Sequence, residues 1–484
     1  MKACLVRPYS ETFVVSPPFG LGYLASAARL AGHDVAIVDG LLVGGSLRGH
    51  LANTIEAIGA SEPGVIGVQA FSCDFFIVGQ LLDAIRGTFP EALLILGGAH
   101  PSGVRAGIFN QFPQIDFAMA GEGEIGFAMW LDEMEKPDRS QASLTDIPGL
   151  IYRTPDGRVA VNQVSAEEDL DQWGQPAWDL MDPRIYPKAP HQGVVKGFPV
   201  APIIATRGCP FKCTFCSVLT VTGRKPRYRD VTKVVDEIEL LVNKYGVKEI
   251  HIQDDIFTLS KRFVMRFVDE VKRRGVKFHW FCSSGVRLGS LDEELIRAMD
   301  EVGCYTYTLA IESGSDKILK DMDKRLTTAE TREKVALLNR MGHRPSAFFI
   351  IGFPTERRED VLETLRFAMS LKLRRAHFSI FYPLPGSIEY ERLKETGELE
   401  ELDWSKLKSE NVAFRHKHMS ARELRFLQRY AFLRFHLRPR ILLTNLWEIL
   451  NSGNFWFIAR RVWVYLVGSG GAGWPGRSSD ALRG

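Results

Sequence analysis

Long apolar runs are missing from this sequence. No stretch reaches about 18 uninterrupted apolar residues, so no membrane-spanning helix is expected. The start, Met1-Lys2-Ala3-Cys4-Leu5-Val6, lacks the pattern of a secretory signal and reads as a buried strand. An excess of one charge is missing too. The 61 Lys and Arg against 58 Asp and Glu leave +3, which gives no sign of a nucleic-acid partner. Cysteine is scarce: seven in 484 residues exclude a disulfide-built secreted domain and point to a reducing cytoplasm. With 45% hydrophobic and 25% charged residues, the chain has the composition of a soluble globular protein. It is long enough for two or three domains.

The few cysteines are not spread evenly. Cys209, Cys213 and Cys216 fall in Cys209-Pro210-Phe211-Lys212-Cys213-Thr214-Phe215-Cys216, while Cys4, Cys73, Cys282 and Cys304 are scattered. Clustered thiolates hold soft metal centres. Four would close a zinc site or an ordinary four-iron cluster, and a fourth Cys or His at zinc spacing is absent nearby. Three leave one iron open to an outside ligand. Phe215 is placed to shield the cluster or stack on a ligand. This C-x3-C-x-aromatic-C motif resembles that of the radical S-adenosylmethionine (SAM) superfamily. The resemblance implies a [4Fe-4S] cluster whose open iron takes the methionine end of SAM, and a 5′-deoxyadenosyl radical formed by one-electron cleavage.

Residues 1 to 135 alternate apolar strands with helices. Strands are expected at Ala3 to Val6, Val35 to Asp39, Val65 to Gln69, Leu93 to Gly98 and Phe117 to Ala120. Buried runs separated by helices predict a doubly wound, Rossmann-like parallel sheet, with ligands beyond the carboxyl ends of its strands. Those ends carry Pro17-Pro18-Phe19-Gly20-Leu21-Gly22, His33-Asp34-Val35, Gly97-Gly98-Ala99-His100-Pro101 and Gly121-Glu122-Gly123-Glu124. In that order they resemble the cobalamin-binding domain that precedes the barrel in one radical SAM class. The resemblance puts Gly20, Leu21, Gly22, Gly97, Gly98, His100, Gly121, Glu122 and Gly123 at the corrin. Glycines suit a flat ligand pressed against backbone. The loop Arg7-Pro8-Tyr9-Ser10-Glu11-Thr12 lacks the D-x-H-x-x-G histidine of methionine-synthase-like domains, which implies cobalamin without histidine on its lower face. A flavodoxin-like module without corrin is the plainer alternative. His33 reads as a helix-end residue.

A connector, 136 to 199, holds a hairpin around Pro155-Asp156-Gly157 and aromatic packing anchors at Trp178 and Tyr186. From 200 to 390, strands near 200–206, 249–255, 278–283, 305–312, 347–352 and 376–381 alternate with helices. They predict a partial (β/α)6 barrel with its chemistry at the C-terminal strand ends. By resemblance Gln253 and Asp254 meet the methionine amino group, Glu312 meets the ribose or methionine end, and Gly352 lies near adenine. Arg287 suits the methionine carboxylate. The plainer role for each acid is a helix cap or solvated loop residue. Cys282 and Cys304 read as small buried hydrophobes. The tail is expected to be helical from 391 to 467, with Ser420 and Glu423 as a capping box. Phe455 to Val467 is either a helix packed on the barrel or a peripheral membrane contact, and 468–484 is expected to be disordered.

The resemblance implies a cobalamin-dependent radical SAM methyltransferase. It would methylate an unactivated carbon or phosphorus of a small-molecule or lipid-like substrate through the adenosyl radical and methylcobalamin. Its electron donor would be a flavodoxin or ferredoxin. A radical SAM oxidative cyclase shares both cofactors, and a non-catalytic cobalamin or redox sensor is the alternative of another class.

Overall fold

The computed structural model describes residues 1–444 except 11–14, 45–46, 139–141, 167, 190–194, 401 and 410. The expectations for 455–467 and 468–484 lie outside the described residues. Five parallel strands open the chain: β1 (Lys2–Arg7), β2 (Asp34–Asp39), β3 (Val65–Gln69), β4 (Leu93–Gly97) and β5 (Phe117–Met119). They are ordered β2-β1-β3-β4-β5, so the direction of winding reverses between β1 and β3. Alternate side chains of each strand feed two cores. Cys4, Val6, Ile66, Val68, Leu94 and Leu96 pack on one face; Ala3, Leu5, Val65 and Ile95 pack on the other. Both faces are covered by helices, which is why these strands read as unbroken apolar runs.

The sheet does not stop at residue 135. The hairpin β6 (Leu150–Arg153) and β7 (Val159–Val161), expected in the connector, adds two antiparallel strands beside β5. Only the remainder of the connector links the two halves. Trp178 is buried, and its Nε1 donates to Glu237 Oε1 at 3.1 Å across the interface. Tyr186 donates from its hydroxyl to Asp39 Oδ2 at 2.7 Å. Gly22 is required here by packing: a Cβ would lie 2.1 Å from Met181 Cε. The connector aromatics are therefore the anchors that the sequence suggested.

The second half is the six-stranded partial barrel. It comprises β8 (Val200–Ile203), a short antiparallel pair β9 (Thr206–Arg207) and β10 (Arg227–Tyr228), then β11 (Glu249–Ile252), β12 (His279–Cys282), β13 (Thr308–Glu312), β14 (Ser346–Ile351) and β15 (Arg375–Ile380). The ladders β12-β11-β8 and β13-β14-β15 are parallel, and single bridges at Trp280–Cys304 and Val286–Leu309 connect them. The first barrel helix, Val231–Tyr245, starts where Asp230 accepts from Thr232 N and stops at Gly246, whose φ of 68° only glycine adopts easily. Its Val234, Val235, Ile238 and Leu241 face the strands. The first helix of the tail expected to be helical from 391 is Ile388–Glu395, capped by Ser387. The helix Ala421–His436, capped by Ser420, closes the barrel's edge: Leu424, Leu427, Ala431 and Phe435 join the barrel core, and Gln428 Nε2 donates to the Phe378 carbonyl at 2.8 Å.

Trp178 fills a site shared by connector and barrel. Trp178→Ala is expected to cost about 3–5 kcal/mol, read by denaturant unfolding. A shift below 1 kcal/mol would show that the connector contributes no anchor.

Candidate functional site

The thiol triplet lies on an irregular loop held from several sides. Gly208, at φ 95°, turns the chain out of β9, and a Cβ there would sit 2.3 Å from the Lys225 carbonyl. Asp255 Oδ2 accepts from Gly208 N at 2.9 Å and from Thr222 Oγ1 at 2.8 Å. Cys209 N donates to the Gly223 carbonyl, Cys216 N to the Cys213 carbonyl, and Thr214 N to the Met322 carbonyl. Cys209, Cys213 and Cys216 are half-buried. Burial pushes all three thiols up, Cys216 to about 12. A cationic centre bound there would favour the thiolate form of each. Among the described residues no three His, Cys, Asp or Glu side chains converge on a single-ion site. A three-thiol loop that leaves one iron open matches the donor chemistry of a cluster.

Expected ligands gather beside the loop. Arg287 stacks its guanidinium 3.5 Å from the Phe211 ring centroid and donates to the Arg325 carbonyl at 2.9 Å. Burial pulls it below its ordinary value. Buried Glu312 ends β13 at φ 71°, where the register slips, and pairs with Lys324 Nζ at 2.8 Å. A non-glycine residue at positive φ is strained and persists only where the surrounding structure holds it. Lys324 Nζ lies 5.8 Å from the Phe215 ring centroid. Gln253 is half-buried at the end of β11, with Gln253 N donating to the Ile203 carbonyl. Gly352, at φ 76°, ends β14; its N–H donates to Glu356 Oε2 at 2.5 Å.

Asp254 takes another part. Its Oδ1 accepts from Ala205 N and its Oδ2 from Thr206 Oγ1, both at 2.8 Å, and burial pushes it up to about 7. Its oxygens are bonded to the Ala205 N–H and the Thr206 hydroxyl, which lead into the cluster loop, so Asp254 braces that loop.

The first-domain residues separate in the same way. An added Cβ at Gly97 would meet nothing within 4 Å, and one at Gly20 only Gln69 Nε2 at 3.9 Å. Gly97, at the end of β4, and Gly20, in the first turn of the helix Phe19–Leu30, leave open backbone, as a flat ligand requires. The others expected at the corrin are used internally. Leu21 belongs to the core and Gly22 receives Met181. Gly98 turns at φ 106°, with an added Cβ 2.8 Å from the Ala70 carbonyl. An added Cβ would lie 2.2 Å from Val164 Cγ1 at Gly121 and 3.1 Å from Leu24 Cδ2 at Gly123. His100 is fully buried, with Nδ1 bonded to Ser72 Oγ and Nε2 to Gln111 Oε1, among Phe75, Phe112 and Trp404. Burial pulls it down to about 4, so it is a neutral packing residue. His33 binds the amino terminus and Asp132, as a helix-end residue does.

Glu122 shows what the sequence reading missed. Its carboxylate takes a two-pronged bond from Arg227, at 2.6 and 2.7 Å, and Glu124 takes Arg207 Nη2 at 2.6 Å. Arg229 binds Glu237, Asp171 and the Tyr23 hydroxyl. All three arginines flank the cluster loop, on β9 and just beyond it through β10, and all reach back to the first domain, connector or first barrel helix. The alternation Arg227-Tyr228-Arg229 was visible; that Arg227 pairs with Glu122, 105 residues away, was not. Segments that follow strands in the two halves also touch directly: a Cβ at Gly103, in the helix Ala99–Val104 after β4, would lie 2.3 Å from the carbonyl of Pro385, in the turn after β15.

Sequence comparison agrees with this order of parts. The B12 binding domain family matches residues 11–129 and the radical SAM superfamily matches 203–368. An uncharacterized methyltransferase of Pyrococcus horikoshii is 31% identical over 456 residues, covering 93% of this chain and 95% of the relative. The chain belongs to the cobalamin-dependent radical SAM superfamily. Another relative, cytidylyl-2-hydroxyethylphosphonate methyltransferase of Streptomyces wedmorensis, is 29% identical over 414 residues, 76% of each chain. The fold is that of a radical SAM methyltransferase from Kitasatospora setae solved with cobalamin and a [4Fe-4S] cluster (TM-score 0.65, 20% identity, 82% of this chain and 75% of that one).

Two predictions follow from this superfamily site. Arg227→Met leaves Glu122 buried and charged, at an expected cost of about 3–5 kcal/mol. Adding Glu122→Leu should restore most of that, and a double variant no more stable than the single one would contradict the pairing. Glu356 is fully buried and its Oε1 has no partner. Burial pushes its carboxyl from 4.5 up to about 8. The folded form keeps a proton that the unfolded chain releases, so the Glu356 contribution to stability falls as pH rises between those two values. Glu356→Gln is expected to flatten stability against pH across that window. An unchanged slope would show that Glu356 does not titrate there.

Proposed function

We propose that this chain is a cobalamin-dependent radical SAM methyltransferase acting on an unactivated carbon or phosphorus of a small-molecule or lipid-like substrate. The observation that carries the reading is the three-thiol loop locked by Arg207 and Arg227 to the glycine-bearing strand ends of a B12 binding domain. When bound, the cluster supplies the electron that cleaves SAM, and cobalamin carries the methyl group. Cys209, Cys213 and Cys216 would hold the cluster.

Arg287 would receive the methionine carboxylate, since a guanidinium already seated on Phe211 loses little freedom on binding it. Gln253 and the Glu312–Lys324 pair would meet the amino and ribose groups, and Gly352 allows close backbone approach to adenine. Phe211 and Phe215 keep water from the loop. Gly20 and Gly97 leave room for the corrin, while the described histidines nearest the strand ends are committed to packing. The contact of Gly103 with Pro385 sets the two strand-end faces against each other, and positioning is the protein's main contribution to such chemistry. Exposed Lys212 on the cluster loop suits an acidic flavodoxin or ferredoxin donor. All seven cysteines are free thiols, in keeping with a reducing cytoplasm.

The test counts co-products by mass spectrometry with methyl-labelled SAM. One turnover is expected to give one 5′-deoxyadenosine, one S-adenosylhomocysteine and labelled product, all lost in the triple variant Cys209→Ala/Cys213→Ala/Cys216→Ala. Turnover with 5′-deoxyadenosine but no S-adenosylhomocysteine and no label in product would replace the methyltransferase with a cyclase or oxidase. No SAM cleavage at all would favour a sensor.

A further inference from the structure

The helix Ala421–His436 has two unlike faces. Its inner face holds the barrel's edge strand, and Leu424 lies 2.9 Å from where a Cβ on Gly352 would be. Its outer face is apolar, and its large side chains are exposed among the described residues. Phe426, Tyr430 and Leu433 recur at spacings of four and three, so they share one side of the helix. Leu437 is exposed immediately after it. Phe426 is 61% exposed and Leu437 58%. Six of the fourteen exposed large apolar side chains among the described residues fall between 426 and 443, so the patch is not the ordinary scatter of single surface hydrophobes.

The charges along residues 421–444 are almost all positive. Arg422, Arg425, Arg434 and Arg440 are exposed. The one acid in residues 421–444 is Glu423, which lies 3.4 Å from Arg358. The sequence beyond repeats the composition. Residues 445–467 contain Trp447, Phe455, Trp456, Phe457, Trp463 and Tyr465, with Arg460 and Arg461 and the single acid Glu448.

We propose that the outer face of the helix Ala421–His436 docks on the surface of an anionic phospholipid bilayer. An apolar stripe rimmed by arginines fits a plane that is apolar below and negative at its headgroups. Interfacial aromatics suit the same depth. A second copy of the chain fits less well, because a two-fold contact through the stripe would bring the two arginine rims together. The orientation has a functional consequence. The helix is about 10 Å thick, so the Gly352 turn on its inner side would lie within one helix diameter of the bilayer, close to where a lipid-like substrate leaves it.

The experiment is flotation of the purified full-length protein with vesicles of phosphatidylcholine alone or mixed with phosphatidylglycerol. Binding is expected only to the mixed vesicles and should weaken with salt. Phe426→Ser/Leu433→Ser is expected to reduce it at least tenfold. Arg422→Gln/Arg425→Gln/Arg434→Gln should also reduce it, by about fivefold per arginine. Both variants should keep the wild-type melting curve, since the altered side chains face solvent. Absence of flotation with mixed vesicles would overturn the proposal, as would equal flotation with both kinds. Flotation unchanged in both variants would place binding in residues 445–484 and also overturn it. So would a dimer, detected by sedimentation, that the apolar variant dissociates while vesicle binding is absent.

Discussion

Everything at this site hangs on a buried set of arginine–carboxylate bonds. Arg207 and Arg227 leave the strands that flank the cluster loop and close on Glu124 and Glu122 in the first domain. Arg229 closes on Glu237 and Asp171. Such pairs give little net stability over apolar packing, because each charge has been taken out of water. Their effect is specificity. A two-pronged guanidinium–carboxylate bond tolerates only a narrow range of angles, and a misplaced domain would strand several buried charges at once. The relative placement of cluster loop and glycine-bearing strand ends is thereby fixed more tightly than an apolar interface would fix it.

The same economy of roles explains why several acids at the strand ends are bonded within the fold. Asp254 and Asp255 hold Ala205, Thr206, Gly208 and Thr222. Glu356 holds Gly352 and Phe353. Each is an acid one layer behind the groups expected to touch SAM, and each uses its oxygens to shape backbone. A loop of irregular conformation leaves many N–H groups without secondary-structure partners. Buried carboxylates are the means by which this chain satisfies them, at the cost of raised proton affinity at Asp254 and Glu356.

The tail belongs to the barrel as much as the strands do. A six-stranded barrel is open at β15, and an open edge exposes unpaired backbone. Gln428 and the apolar face of the helix Ala421–His436 cover it, while Trp404, in the stretch before that helix, enters the aromatic group around His100 in the first domain. The tail thus touches both halves.

The sequence by itself determined the elements and the metal motif. The five strands of the first sheet and the six of the barrel were legible because apolar runs of strand length must be buried, and Gly246 and Ser420 marked helix ends through local backbone chemistry. The thiol triplet was legible because its spacing lies within one loop. Tertiary structure decided what depends on distant partners. The hairpin 150–161 was readable as a hairpin, but its place beside β5 was not, since strand pairing carries no local mark. Glu122, His100 and Asp254 are chemically fit for binding, and their sequence neighbours cannot say otherwise. Arg227, the Ser72–Gln111 pair, and the Ala205 N–H with the Thr206 hydroxyl claim them only after folding, because a hydrogen bond is spent on whichever partner the fold brings within 3 Å.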